Sequence, residues 1–95
     1  MATIQFAPEV VSDFTRILDH LERHHAEERL ERIELIRDAI GVLAGSPMIG
    51  RPSDDGLREL VIGRGSRGYI ALYEDDEGLD LVRVVRVWHQ RERRG

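Results

Sequence analysis

The stretch from Leu57 to Arg91 constrains the fold more than any other. It holds Leu57-Arg58-Glu59-Leu60-Val61-Ile62, a glycine-rich turn, Tyr69-Ile70-Ala71-Leu72-Tyr73, an acidic turn ending at Gly78, and a final run from Leu79 to His89. β-Branched and aromatic residues fill the three runs, as strands require. The punctuation between them is too short to hold a helix, so neighbouring runs pair and the pattern predicts a three-stranded antiparallel meander. Everything upstream then has to cover one face of this sheet. The other face is expected to carry Arg58, Arg67, Arg86, Trp88 and His89, a high density of guanidinium and ring groups for a chain of net charge -4.

Upstream, Thr3-Ile4-Gln5-Phe6 alternates over a short span, which suits a strand at or beside an edge of the sheet. Pro8 stops it and is tolerated in a first helical turn, where Glu9 faces the positive end of the helix dipole. Apolar residues at Val10/Val11, Phe14, Ile17/Leu18 and Leu21 predict a helix from about residue 8 to about residue 24. Asp13, Arg16, Asp19, Glu22 and Arg23 are read as its solvated face.

His24-His25-Ala26 marks a break, after which Leu30, Ile33, Ile36, Ile40 and Leu43 predict a second helix over roughly 26–44, closed by Gly45. The alternative is one unbroken helix from 8 to 44, long for a globular domain without a cap, and the hairpin buries more apolar surface. Ser46 to Gly56 reads as a return loop, with Pro47, Pro52, Gly50 and Gly56 as its breakers. The fold class is therefore α+β: a short N-terminal strand, a two-helix hairpin and a three-stranded meander, with the helices on one face of the sheet. The 95 residues make one domain, 1–95.

Strict alternation along the last strand would send Arg83 towards the core with Leu79, Leu81, Val85, Val87 and His89. A β-bulge near Val84-Val85 would instead turn Arg83 and Arg86 outward and leave Val82 and Val87 inside. The bulge is the preferred register.

Composition narrows the function classes. With no cysteine there is neither a disulfide framework nor a thiolate metal site, which suits a reducing cytoplasm. No apolar run approaches the length of a membrane span, and the N-terminus lacks signal-peptide character, so no membrane partner is expected. All 14 basic residues are arginine against 18 acids. Residues 1–50 hold 5 Arg and 9 acids while 51–95 hold 9 of each, so the net negative charge arises in the first half. An acidic chain does not coat nucleic acid through bulk charge, but it can carry a local basic patch.

Several chemical motifs fall short. Gly63-Arg64-Gly65-Ser66-Arg67-Gly68 joins two strands, opens no helix and lacks the Lys-Ser/Thr ending of a phosphate loop. The acidic run Glu74-Asp75-Asp76-Glu77 lacks the alternating ligands of a calcium loop and reads as a solvated turn. His20 and His24 have the i, i+4 spacing of two zinc ligands, but Leu21 stands where a metalloprotease needs Glu and no third ligand is evident. No serine sits in a nucleophile motif. No metal or cofactor is therefore expected. Arg58, Arg67, Tyr69, Tyr73 and His89 could together serve metal-free phosphodiester cleavage if the register brought them to one place; otherwise the arginines bond backbone or acids and the tyrosines pack.

The loop Pro47-Met48-Ile49-Gly50-Arg51-Pro52, the start of the next strand at Gly56-Leu57-Arg58-Glu59-Leu60 and the ending Val85-Arg86-Val87-Trp88-His89-Gln90-Arg91 complete a pattern. With the order of elements, it resembles the ParE branch of the RelE/ParE toxin superfamily over essentially the whole chain. The resemblance implies the toxin of a bacterial type II toxin-antitoxin pair, held in a hetero-oligomer by a cognate antitoxin, ParD-like with a ribbon-helix-helix fold. It implies DNA gyrase as target, inhibited by protein contact without a catalytic residue. The alternative is a RelE-like endonuclease that cuts messenger RNA on the ribosome, with His89 as acid or base and Arg58 and Arg67 as phosphate clamps. RelE-like members are generally strongly basic, whereas this chain is acidic and has no lysine, which favours gyrase. An inactive or regulatory pair member is the third reading. Arg58, Arg83, Arg86, Trp88, His89 and Arg91 are the expected antitoxin- or target-binding residues, Trp and Arg being frequent interface anchors.

Overall fold

The computed structural model describes residues 1–64 and 68–92. Its elements run β1 (Thr3–Phe6), α1 (Pro8–His24), α2 (Arg29–Gly41), β2 (Arg51–Pro52), β3 (Arg58–Ile62), β4 (Tyr69–Asp76) and β5 (Leu81–His89). Pro8 ends β1 and opens α1, with Glu9 in the first turn and Arg23 and His24 in the last, an arrangement that matches the helix dipole at both ends. His25 leaves helical geometry (φ -146°, ψ 46°) and breaks the chain into two helices as expected.

The second helix is more finely divided than its sequence suggests. Only Arg29–Gly41 is α-helical, with 3-10 turns at Ala26–Glu28 and Val42–Ala44. Its buried stripe is Arg32, Ile36 and Ile40, continued by Leu43, while Leu30 is 70% exposed. The expected stripe thus holds at Ile36, Ile40 and Leu43, with Ile33 packed against the core, and is corrected at its first member, where Arg32 rather than Leu30 is buried.

Among the described residues the sheet has five strands, in the order β1-β5-β4-β3-β2. The meander β3-β4-β5 is antiparallel, and β1 lies at an edge, parallel to β5, with Thr3 opposite Leu81 and Phe6 opposite Val84. The helices return the chain between β1 and the meander, which permits the parallel pairing. A two-residue strand that the loop reading missed, β2, pairs Arg51 with Glu59 and Pro52 with Arg58. Glu74, Asp75 and Asp76 are also not in a turn. They extend β4 opposite Arg83, Val82 and Leu81, and the Arg83–Glu74 ion pair favours that extension. The turn follows them, with Asp80 at φ 50°.

Opposite β5, Leu72 pairs with Arg86 and Tyr73 with Val84, so Val85 is the extra residue of a bulge. Val82, Val84 and Val87 consequently enter the core with Tyr69, Ala71 and Tyr73, against Val10, Ile17 and Leu21 of α1 and Ile36 of α2. Burial of such side chains stabilises by about 1.5–3 kcal/mol each. Among the described residues, no helix is long and apolar enough to cross a membrane.

Alternation along the paired strands fixes which residues share a face. Arg58, Leu60, Ile62, Tyr69, Ala71, Tyr73 and His89 lie on the helix side, whereas Glu59, Val61, Ile70, Leu72, Glu74, Arg83 and Trp88 lie on the other. Arg58 and His89 therefore do not share a face with Trp88, contrary to the sequence expectation. The cause is register: both pair across from tyrosines whose rings belong to the core.

Candidate functional site

Arg58 is tied down by the return loop. Its Nη1 donates to the Gly50 carbonyl at 2.7 Å and to the Met48 carbonyl at 3.4 Å. Beside it the Tyr73 hydroxyl donates to the Pro47 carbonyl at 2.7 Å and accepts from the Gly50 amide at 2.9 Å. Burial pushes the Tyr73 hydroxyl above its ordinary pKa despite the Gly50 amide, so it remains a neutral donor. A Cβ on residue 50 would stand 2.5 Å from that hydroxyl oxygen, which is why the loop needs glycine there. The Pro-Met-Ile-Gly-Arg-Pro loop is thereby fastened from beneath, with Met48 and Ile49 about half exposed.

Arg86 meets the one carboxylate buried within α1. Its Nε and Nη2 donate to Asp13 at 2.8 and 3.0 Å, and the Val87 amide donates to the same carboxylate at 2.9 Å. Arg16 adds a bond to Asp13 at 3.0 Å and another, at 3.4 Å, to the Val87 carbonyl. Asp13, read as solvated from sequence, is 1% exposed. It is buried because β1 stops short of the last residues of β5, and α1 caps their free backbone groups with side chains. Burial alone would raise the Asp13 pKa; the bonds from Arg86, Val87 and Arg16 outweigh it and hold the carboxyl below its ordinary value. The same pairing holds Arg86 more firmly protonated.

The face of the sheet turned away from the helices carries half-buried Arg83 and Trp88, with Leu72 and the exposed Val61. Arg83 is paired with Glu74, and Arg51 with Glu59 at 3.1 Å. The Trp88 Nε1 is buried and has no hydrogen-bond partner among the described residues. A buried donor in that state is uncommon.

His89 lies at the far end of the helix face from Arg58. Arg58 pairs opposite Tyr73 and His89 opposite Tyr69, four residues apart on β4 or roughly 13 Å. The Tyr69 ring meets His89 edge-on with centroids 5.3 Å apart, and the His89 Nδ1 accepts from the Arg91 amide at 3.1 Å. Arg91 is exposed just beyond β5, and Arg67 lies outside the described residues.

Beside His89 the C-terminal end of α1 and the ends of β4 and β5 enclose a cleft of about 640 Å³. His20, His24, His25 and His89 all line it, with ring centroids 4.7, 6.2 and 6.4 Å from His20 to the other three. Sequence reading singled out His20 and His24 by their spacing; nothing local connects His89 with them, because only the α1–β5 packing does so. Among the described residues no group of three or more side chains is placed to hold a metal ion.

The family model for the ParE toxin of the type II toxin-antitoxin system parDE matches residues 4–94. Among solved structures, a chain of the chromosomal ParDE TA system from P. aeruginosa superposes with a TM-score of 0.77 at 20% identity. That likeness of fold covers 94% of this chain and 96% of the other. No curated protein matches the sequence.

Proposed function

The chain belongs to the ParE toxin family of type II toxin-antitoxin systems, and on that premise we propose that it inhibits DNA gyrase by protein–protein contact and is neutralised by a cognate antitoxin. The toxin-antitoxin assignment implies an antitoxin partner. The finer reading makes that partner ParD-like, with a ribbon-helix-helix fold, assembled with the toxin as a hetero-oligomer in the cytoplasm.

The separation of Arg58 from His89 carries the choice of gyrase over RNA cleavage. Cleaving a phosphodiester without a metal needs a base, an acid and cations around one phosphorus atom. Two groups roughly 13 Å apart along β4 do not meet at one phosphate. Arg58 is, moreover, bonded to two loop carbonyls. Contact with a protein asks only for an exposed, well-anchored surface, and the sheet face with Trp88, Arg83, Leu72 and Val61 supplies one. Arg86, at the bulge edging that face, and Arg91, just beyond it, extend the proposed footprint for antitoxin or target. The experiment is a gyrase supercoiling assay: the purified chain traps cleaved DNA on gyrase, and added antitoxin prevents it. Undisturbed supercoiling at stoichiometric excess of the chain would count against this reading.

A further inference from the structure

We propose that the cleft between the C-terminal end of α1 and the ends of β4 and β5 binds a small phosphate-bearing molecule of about nucleotide size. This holds whether or not gyrase is the target. The cleft volume of about 640 Å³ falls within the range of roughly 300–1,000 Å³ usual for small-ligand sites.

Its charge is opposite to that of the protein. The lining holds four guanidiniums, those of Arg16, Arg23, Arg32 and Arg91, against two carboxylates, Asp19 and Glu28. Asp13, behind the wall, shares its charge between Arg16 and Arg86. Asp19 pairs with Arg23 at 3.4 Å and Glu28 with Arg32 at 3.1 Å, so the cationic excess that remains, in a chain of net charge -4, comes from Arg91 and from Arg16, whose partner Asp13 is shared with Arg86. All four histidines of the sequence add to this wall. An imidazole carries at least one N–H donor in either protonation state, and a guanidinium carries five. The floor is rigid: the Arg32 side chain is 8% exposed and is fixed by Glu28 at 3.1 Å. Burial disfavours the charge of Arg32, but its bonds to Tyr69 and Glu28 more than restore it.

The chemistry of this wall selects the ligand. Guanidiniums among the imidazoles repel a metal cation, and no metal-holding trio exists among the described residues. The donors come from α1, the turn after it, α2 and the end of β5, so they surround the cleft rather than lie in one plane. A tetrahedral phosphate offers acceptor oxygens in all those directions, whereas a carboxylate offers two in one plane.

Calorimetric titration of the full chain with inorganic pyrophosphate tests the proposal, with citrate as a carboxylate of comparable charge. Saturable pyrophosphate binding is expected, shifting the histidine ring signals in the NMR spectrum. The double variant His20→Ala/His24→Ala and the separate rim variant Arg91→Ala should each weaken it, the former on the order of tenfold. Arg37→Ala, exposed on α2 outside the cleft, should not. Circular dichroism establishes that each variant is folded, and Arg91→Ala alone decides if the double variant is not. Absence of saturable binding, wild-type affinity in a folded cleft variant, or equal affinity for citrate would overturn the proposal.

Discussion

Asp13, in the middle of α1, accepts a 2.8 Å hydrogen bond from Nε of Arg86, 73 residues further along the chain. The carboxylate is almost completely buried while the guanidinium is about half exposed. Asp13 also accepts from the Val87 amide, and Arg16 donates to the Val87 carbonyl. One helix thus does for the end of β5 what a neighbouring strand does elsewhere: it satisfies backbone groups that β1 is too short to reach.

Asp13→Ala should therefore be among the most damaging substitutions in α1. It leaves the buried Val87 amide without its acceptor and two half-exposed guanidiniums without their shared anchor, at a cost of about 2 kcal/mol, which lowers Tm by roughly 10 °C in a domain of this size. Arg86→Ala should cost only about 1 kcal/mol, because Val87 and Arg16 still hold the carboxylate. Urea unfolding of the two variants measures both.

The same site predicts an acid limb of stability. The native carboxyl is held below the ordinary aspartate value of 3.8, so unfolded Asp13 takes up a proton at higher pH than the folded one. Its contribution is present above that value and is lost as pH falls below it towards the native one. The stability gap between wild type and Asp13→Asn should hence narrow as pH is lowered through about 4, read from urea midpoints across a pH series.

Gly50 and Tyr73 give a third prediction. Gly50→Ala pushes a methyl into the Tyr73 hydroxyl and the Glu59 carbonyl, at 2.5 and 2.9 Å, and should cost about 2 kcal/mol or more. Tyr73→Phe leaves the Gly50 amide and the Pro47 carbonyl without their partner and should cost about 1–3 kcal/mol. Because both act on one loop, the double variant should cost less than the sum. Thermal melts of the three proteins check this.

What the residues revealed in advance depended on whether the signal was local. Pro8, the apolar spacing of α1 and the break at His25 are local, and α1 runs as expected from Pro8 to His24. The bulge at Val85 was readable because only it keeps Arg83 and Arg86 out of a core of valines. Asp13 was misread because its burial depends on a strand 73 residues away that runs past the end of β1. Leu30, expected in the stripe of the second helix, lies exposed while Arg32 is buried against Glu28, a tertiary placement that apolar spacing does not signal. The gathering of the histidines was invisible for the same reason as Asp13: it is made by packing of α1 against β5.

Trp88 gives a fourth prediction. As a half-buried aromatic on the sheet face away from the helices, it should anchor the antitoxin, and Trp88→Ala should weaken antitoxin binding by 2 kcal/mol or more, about thirtyfold or greater. Val11→Ala, on the exposed face of α1, serves as the comparison and should change stability little. Affinities come from titration of each folded toxin variant with labelled antitoxin.

Inhibition by contact and cleavage by chemistry part most sharply at His89. The purified chain and His89→Ala are each added to a gyrase supercoiling reaction and, separately, to a translating ribosome system. Contact inhibition predicts trapped gyrase cleavage complexes with the wild type, weakened in His89→Ala only as far as lost contact or packing weakens them, and intact message throughout. Message cut by the wild-type chain and spared by His89→Ala, with supercoiling undisturbed, would contradict it.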